Sequence, residues 1–519
     1  MSVRILGVLG ACLLLYLTIT LVGCSYTTPE HQVNNQAYSM VDTQNTRLGA
    51  AITPLTESHP GLTGIHMLGD PHEAFAVRML LAKTADRSLD IQSYIWRNDT
   101  TGTMLLEALR QAADRGVRVR LLLDDNGTSG LDSQLAALDQ HPNIEVRLFN
   151  PFYQRKLKIL GYLTNFKRAN RRMHNKSFTA DNQATIVGGR NIGDEYFGAN
   201  PDSLFSDLDI LAVGPVVQDL SSDFDRYWSS QSAFPVKQVL PAAAPNGLEA
   251  LALAASNTEK SAAAASYVKI VSELPTIRRL IKGDLPIEWA PARMVSDDPA
   301  KGRGDIRSKD LLINKLQDII GTPTKNLNMV SAYFVPSKAG MRALVGMANK
   351  GVKIKVFTNS LAATDVAAVH AGYAKWRKDL LAAGITLYEM KPSEDEPPAA
   401  EFRPGRFGSS GSSLHAKTYS VDDTQFFIGS YNFDPRSAKL NTELGFLIES
   451  PALAKLVNAA FDSAIPQRSY EVLRADNNSL YWLERKQDTL VRHNTEPDTT
   501  LLQRMSVWLI SKLPIDWLL

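Results

Sequence analysis

The chain has 519 residues, 44% of them hydrophobic and 21% charged, which places it among folded globular chains and makes it long enough for two ordinary domains. Its 56 basic and 54 acidic residues leave a net charge of +2, without the bulk positive excess expected of a general nucleic-acid binder. The two cysteines are Cys12 and Cys24, so the body of the chain holds neither a disulfide nor a thiolate zinc site.

At the amino end Arg4 precedes an apolar run over 5–22, and Leu21-Val22-Gly23-Cys24 closes it. Such a run is long enough to cross a bilayer, yet the small residues before Cys24 suit a cleavage site, which a permanent anchor does not need. The tetrapeptide resembles the lipobox of bacterial lipoproteins. That resemblance implies a signal peptide over 1–24, lipidation of Cys24 and an exported, tethered body facing the periplasm; an uncleaved anchor is the alternative. Ser25 after the cysteine points to the outer membrane in a Gram-negative cell, with the inner membrane as the other reading. Residues 25–64 read as a linker.

Two later segments share one pattern. Residues 88–95 alternate as a strand, 105–113 carry helical spacing, Gly116 stops the helix, and 117–121 read as a second strand. The same order recurs at 326–334, 341–348, Gly351 and 352–356. Each is a βαβ unit, which argues for parallel pairing and an α/β architecture. Any two such units look alike, but here each is followed by the same polar signature. The first is His174-Asn175-Lys176, four residues, Asp181, six residues, Gly188-Gly189-Arg190-Asn191. The second is His415-Ala416-Lys417, four residues, Asp422, six residues, Gly429-Ser430-Tyr431-Asn432. Two domains, 65–235 and 301–470, are therefore expected. Between them lies a helical or linker segment over 236–300, with an alanine-rich part at 241–266, and an extension over 471–519 follows. The stretch 391–413, rich in Pro, Gly, Ser and Glu, reads as a long loop before the second signature.

The signature reads as a hairpin: 173–180 as one strand, Asp181-Asn182 as the turn, 184–187 as the return. Residues two apart on a strand share a face, so His174 and Lys176 project together, as do His415 and Lys417. Gly188, Gly189 and Gly429 remove side chains where a backbone or ligand must come close. Asn191 and Asn432 add amide donors. Face to face, the two copies offer two imidazoles, two ammonium groups and two amides, a set that suits a phosphodiester. Lysines and amides stabilise the non-bridging oxygens, while one imidazole attacks phosphorus and the other protonates the leaving alkoxide. The imidazoles must start in opposite protonation states. An acid on the far ring nitrogen would orient each one, and Asp207 and Glu443 follow the two hairpins at similar distances. Asp181 and Asp422 read mainly as turn or domain-interface residues.

The paired His-x-Lys-x₄-Asp-x₆-Gly-[Gly/Ser]-x-Asn motifs resemble the phospholipase D superfamily over 65–470. The resemblance implies two similar α/β domains, each a mixed sheet flanked by helices. They would be related by pseudo-twofold symmetry, with one active site between them that works through a phosphohistidine without metal or cofactor. Carried over residue by residue, it implies a catalytic set of His174, Lys176, Asp181, His415, Lys417 and Asp422. His174 would be the nucleophile and His415 the general acid, then base. Lys176, Lys417, Asn191 and Asn432 would bind the phosphoryl group, with Gly188, Gly189, Gly429 and Ser430 in the substrate-binding turns.

Softer motifs look like class C bacterial cardiolipin synthases: Gly161-Tyr162-Leu163-Thr164, the run 170–176, and Leu513-Pro514-Ile515-Asp516-Trp517-Leu518-Leu519. They imply phospholipid substrates at a membrane surface, with a phosphatidyl group moved onto an alcohol such as phosphatidylglycerol and phosphatidylethanolamine as a further lipid. Hydrolysis to phosphatidic acid is the alternative. A nuclease is disfavoured by the charge balance and the tether, and a dead lipid-binding protein by the intact motifs.

Three further features stand out. Arg155, Lys156, Lys158, Lys167, Arg168, Arg171 and Arg172 crowd 155–172 without an acid. They read as a solvated basic loop or as a lip for anionic headgroups, each charge near a bilayer being worth about 1 kcal/mol; the place directly before His174 favours the lip. Leu501, Leu502, Met505, Trp508, Leu509 and Leu513 fall on one helical face, packed on its own domain or lying in a membrane interface. The remaining histidines show no metal spacing.

Overall fold

Each βαβ unit forms because its helix carries its own start and stop. Asp99 accepts from the Gly102 N–H to begin Thr100–Asp114, and Ser337 accepts from the Gly340 N–H to begin Lys338–Asn349. Such caps satisfy amides that have no partner within the helix. Past their far ends stand Gly116 at φ 94° and Gly351 at φ 92°, a left-handed conformation that a side chain would strain. The computed structural model describes residues 38–519 other than 153–154, 156–157, 201–203, 276–278, 280–283, 393–411 and 488. The leader with Cys24, and most of the loop expected at 391–413, fall outside the described residues.

The first half contributes β1 (Thr63–Leu68), β2 (Ser88–Ile95), β3 (Arg118–Gly127), β4 (Ile144–Phe149), β5 (Ser177–Ala180), β6 (Ala184–Gly188), β7 (Leu204–Ser206), β8 (Asp209–Val213), β9 (Ala233–Pro235) and β10 (Glu288–Ala290). The second contributes β11 (Ala292–Ser296), β12 (Asn326–Ser331), β13 (Lys353–Asn359), β14 (Thr386–Met390), β15 (Ser412–Leu414), β16 (Lys417–Val421), β17 (Gln425–Gly429), β18 (Leu444–Ile448), β19 (Ser469–Arg474), β20 (Leu480–Lys486) and β21 (Thr489–His493). One sheet runs β10-β1-β8-β6-β5-β2-β3-β4-β9 and the other β11-β18-β17-β16-β12-β13-β14-β19-β20-β21. From β1 to β9 and from β11 to β19 the order is the same. Parallel pairs lie at β2–β3–β4 and β12–β13–β14, with antiparallel strands on both sides, so both sheets are mixed.

Within 236–300, Gly247–Glu259 and Ala262–Glu273 are helices that bury Leu251 and Tyr267 in the core of the first half. The chain then changes sheets within a few residues, since β10 pairs with β1 while β11 pairs with β18. No free linker separates the halves there. A shared apolar layer joins the two sheets, with Ile65, Val187 and Ile210 packed among Phe426, Ile428 and Phe446. In the extension, β19 to β21 lengthen the second sheet, and the helix Leu501–Ser511 buries Val507 against Leu361 and Ala371.

Both hairpins turn through two consecutive left-handed residues, Asp181 and Asn182 at φ 51° and 52°, Asp422 and Asp423 at 51° and 60°. The Gln183 and Thr424 N–H groups donate back to Ala180 O and Val421 O, which makes each a primed turn whose twist suits the flanking strands. The carboxylate of Asp181 accepts from the N–H groups of Asp86, Arg87 and Ser88 at 2.9, 2.7 and 2.9 Å. Asp422 does the same for Thr324, Lys325 and Asn326 at 2.9, 2.7 and 3.1 Å. In the structure these two aspartates, which the motif resemblance counts in the catalytic set, brace the backbone. They lie at the turn end of each hairpin, where they hold the entry to β2 and β12, and the histidines stand at the opposite end. Asp181→Ala leaves three backbone donors without their acceptor and is expected to cost about 2–3 kcal/mol. Denaturant titration checks it: an unchanged midpoint would mean that the carboxylate does not hold the hairpin.

Candidate active site

His174 precedes β5, and its backbone N–H donates to Thr442 O at 2.9 Å, while the Thr442 N–H donates to Arg172 O at 2.9 Å. In the other half the His415 N–H donates to Ser206 O at 2.7 Å, beside the parallel pairing of β7 with β15. Each histidine is thus stitched by its backbone to the loop that carries the acid of the opposite half. The side chains complete the crossing. His174 Nδ1 lies 2.8 Å from Glu443 Oε2, and His415 Nδ1 lies 2.6 Å from Asp207 Oδ2. Against an ionised carboxylate the proton sits on Nδ1, so Nε2 is the nitrogen left for chemistry. The sequence offered both acids as orienting partners; the structure adds that each serves the histidine of the other half.

The glycines explain how the acids get so close. A Cβ on Gly189 would stand 2.1 Å from Asp207 Oδ1, and one on Gly188 2.1 Å from Asp209 Oδ1. On Gly429 it would meet Leu444 O at 2.3 Å. What approaches these positions in the structure is the neighbouring acid-bearing segment. Ser430, which takes the place of Gly189 in the second copy, donates to Glu443 Oε2 at 2.5 Å and accepts from the Leu444 N–H at 3.0 Å. It too holds an acid.

Asn191 Oδ1 accepts from the Ile95 N–H at 3.1 Å and its Nδ2 donates to Tyr196 OH at 2.9 Å. Asn432 Oδ1 accepts from the Tyr333 N–H at 3.3 Å. Both amides thus lock the end of a βαβ strand against the hairpin. Lys176 Nζ donates to His174 O at 2.7 Å, and Lys417 Nζ donates to His415 O. All four His and Lys side chains are buried, and this sets their charge. Burial pulls Lys176 down to about 7 and Lys417 to about 8, against the attraction of Glu443 and Asp207. It also depresses both imidazoles, and the two ammonium groups add to that. The acids differ from each other. Burial raises Glu443 to about 7, whereas at Asp207 the same burial is overcome by His415, Lys417 and Arg190, which bring it down to about 2.

Several residues around the site had no role assigned from the sequence. The ring of Tyr94 meets His174 edge-on at 4.9 Å, and that of Tyr196 meets His415 at 5.3 Å. Asp297 accepts from the Glu443 N–H at 3.0 Å and from Lys301 Nζ at 2.8 Å, both side chains fully buried. Arg190 donates to Asp207 O at 2.7 Å, and Arg78 to Asp209 Oδ2 at 2.8 Å. The basic lip also needs correction, because most of its cations are occupied internally. Lys158 donates to Asp125 O at 2.6 Å, Arg168 to Pro151 O at 2.7 Å and Arg172 to Asn150 O at 2.9 Å, and Arg155 pairs with Asp125 and Asp132. They brace a loop. Lys167 remains exposed, and Lys156 is outside the described residues.

The lysines give a pH signature. Between their folded values and the ordinary ammonium value the unfolded chain binds more protons, so stability rises with pH across that window. The free protein is expected to gain melting temperature from about pH 7 to about pH 9, and Lys176→Met to gain less. Inorganic phosphate, which restores the ammonium charge, should protect best at the low end. Thermal melts across pH check this; equal pH slopes in parent and variant would count against a charge-depressed Lys176.

Comparison with known proteins now bears on these motifs. The family model described as "Cardiolipin synthase, PLD-like domain" matches twice, over 79–228 and 316–465. Cardiolipin synthase C of Escherichia coli K12 is 50% identical over 474 residues, 91% of this chain and 100% of that one. An uncharacterised Helicobacter pylori J99 protein is 32% identical over 487 residues, 93% of this chain and 94% of its own. The solved phosphatidylserine synthase of Haemophilus influenzae Rd KW20 covers 90% of this chain and 100% of its own at a TM-score of 0.56 and 14% identity, a likeness of fold. With the motif duplicated and both halves matched, the chain belongs to the phospholipase D superfamily, as a two-domain relative of cardiolipin synthase C.

Proposed function

We propose that the chain is a phosphatidyltransferase that moves a phosphatidyl group through a phosphohistidine onto a lipid alcohol, with cardiolipin as product. The observation that carries this reading is the crossed pairing of two buried imidazoles with two unequal acids. Asp207, held at about 2, is a full negative charge that pulls His415 toward its imidazolium against the burial and Lys417 that hold the free ring at about 4. The entering phosphodiester anion adds to that pull, so His415 carries its proton once substrate is bound. Glu443, at about 7 and sharing its Oε2 with Ser430, is a weaker counter-charge and leaves His174 neutral. His174 Nε2 then attacks phosphorus, and the bond from phosphorus to the headgroup oxygen breaks. His415 gives its proton to that oxygen, a step worth about 10²–10⁴-fold. In the second half His415 takes the proton of the acceptor alcohol, whose oxygen displaces His174 from phosphorus.

Lys176 and Lys417 lie beside these imidazoles and regain full charge when an anionic phosphodiester enters, since an opposite charge restores the ammonium form. Asn191 and Asn432 complete the set of donors. Transfer rather than hydrolysis asks that water be kept out and the alcohol be held in line, an arrangement that reaches effective molarities of about 10⁵ M or more. The burial of both histidines, 6% and 8% exposed, favours it. The similarity to cardiolipin synthase C supports phosphatidylglycerol as acceptor and a phospholipid such as phosphatidylethanolamine as donor. On this reading the protein works at the envelope membrane, held there by lipid on Cys24.

With both lipids in vesicles, mass spectrometry of the products should find cardiolipin in excess of phosphatidic acid. His174→Ala and His415→Ala should each lower turnover by about 10³-fold or more. In His415→Ala a phosphatidyl adduct is expected on the peptide that carries His174; an adduct on His415 in His174→Ala would reverse the roles. Phosphatidic acid alone at every acceptor concentration would leave a hydrolase instead. For the tether, intact-mass analysis of membrane-extracted protein should show an acylated species that begins at Cys24. A chain that retains Met1 would indicate an uncleaved anchor.

A further inference from the structure

The helix Leu501–Ser511 turns only a narrow face inward. Val507 is its buried residue, while Leu502, Met505, Trp508 and Leu509 stand 66%, 52%, 60% and 57% exposed. An apolar face this open is unusual on a folded domain. It does not end with the helix, since Leu513 and Trp517 continue it at 53% and 56% exposed. The Trp517 ring then meets Phe166 edge-on at 5.8 Å, next to exposed Leu163 and Lys167.

This surface is held rigidly at the rim of the active site. Arg436 donates to Asn170 Oδ1 at 2.7 Å and to Leu518 O at 3.2 Å, and its backbone N–H donates to Leu519 O at 2.7 Å. Asn170 lies four residues before His174. The capping box of Thr500 with Gln503 fixes the other end of the helix.

The charges tell what covers the face. No acid occurs from 499 to 515, nor from 155 to 172. Lys512 is exposed with its Nζ 5.6 Å from the Trp508 ring, and Lys167 stands beside Phe166. Tryptophans with flanking cations on an apolar helical face fit the interface of an anionic bilayer. Among the described residues no helix is long and apolar enough to cross a membrane, so this would be contact with one leaflet. We propose that the face formed by the helix Leu501–Ser511, Leu513 and Trp517, with Leu163 and Phe166, docks on the surface of an anionic phospholipid bilayer and turns the mouth beside His174 toward the lipid. This inference rests on the phospholipid reading above, and its test separates the two.

The full chain is bound to vesicles of phosphatidylglycerol and phosphatidylcholine with brominated acyl chains, and tryptophan emission is followed. Trp508 and Trp517 are the exposed tryptophans, so emission should be quenched in the parent. The double variant Trp508→Phe/Trp517→Phe should lose that quenching. Leu502→Glu/Leu509→Glu, which alters solvent-exposed positions, should abolish quenching and lower vesicle turnover by about five-fold or more, while turnover of a monodisperse short-chain phospholipid stays at the parent rate. Loss of turnover on the short-chain lipid by the parent itself would sink the reaction and leave the docking result readable. Three outcomes would overturn the docking: no quenching in the parent, equal quenching on phosphatidylcholine alone, or full vesicle turnover by the glutamate variant. A face shielded from iodide without lipid and never quenched by bromine would mean that a second copy or another part of the chain covers it.

Discussion

The bond between an imidazole on one half and a carboxylate on the other is what the rest of the architecture serves. A histidine needs its far nitrogen fixed if the near one is to act as nucleophile or acid, and neither half supplies both groups to itself. The backbone bonds from His174 to Thr442 and from His415 to Ser206, the β7–β15 pairing and the apolar layer between the sheets all hold the halves at the distance this bond requires. Glycine at 188, 189 and 429 follows from the same demand, because any larger residue would push the acid strand away.

Such a centre is costly to bury. Two lysines, two histidines and two acids sit together, all buried, and taking a charge out of water costs several kcal/mol even when it is paired. The structure offsets this with a further layer of ion pairs behind the acids, Lys301 with Asp297 on one side and Arg78 with Asp209 on the other. These orient the acids through the chain, since Asp297 accepts from the Glu443 N–H and Arg190 donates to Asp207 O. The apolar layer between the sheets supplies the association that the charges do not. What burial leaves is a pair of lysines whose charge is depressed and two imidazoles whose acids differ.

Much of this was legible in the sequence because it is local. The βαβ units, the hairpins and the spacing from histidine to asparagine repeat within short windows, and period and turn chemistry fix them. Asp207 and Glu443 were legible as acids at matched positions. Their crossing was not, since it arises only when the halves dock, and 208 and 269 residues separate the partners. Distance misled elsewhere as well. Without acids nearby in sequence the segment 155–172 looked like a basic lip, but Asp125 and Asp132 and the carbonyls of Asn150 and Pro151 come back to it through the fold. Asp297 lies 146 residues from Glu443, and no spacing rule points to it.

The unlike residues at 189 and 430 bear on how such a chain can diverge. In a dimer of two identical half-length chains every substitution would appear twice, and both histidines would be backed by the same acid in the same setting. Joining the copies in one polypeptide releases that constraint. One half can keep a glycine and a short acid while the other takes a serine and a longer one. A division of labour between two chemically equal imidazoles then becomes heritable, written into sequence rather than imposed afresh by each substrate that arrives.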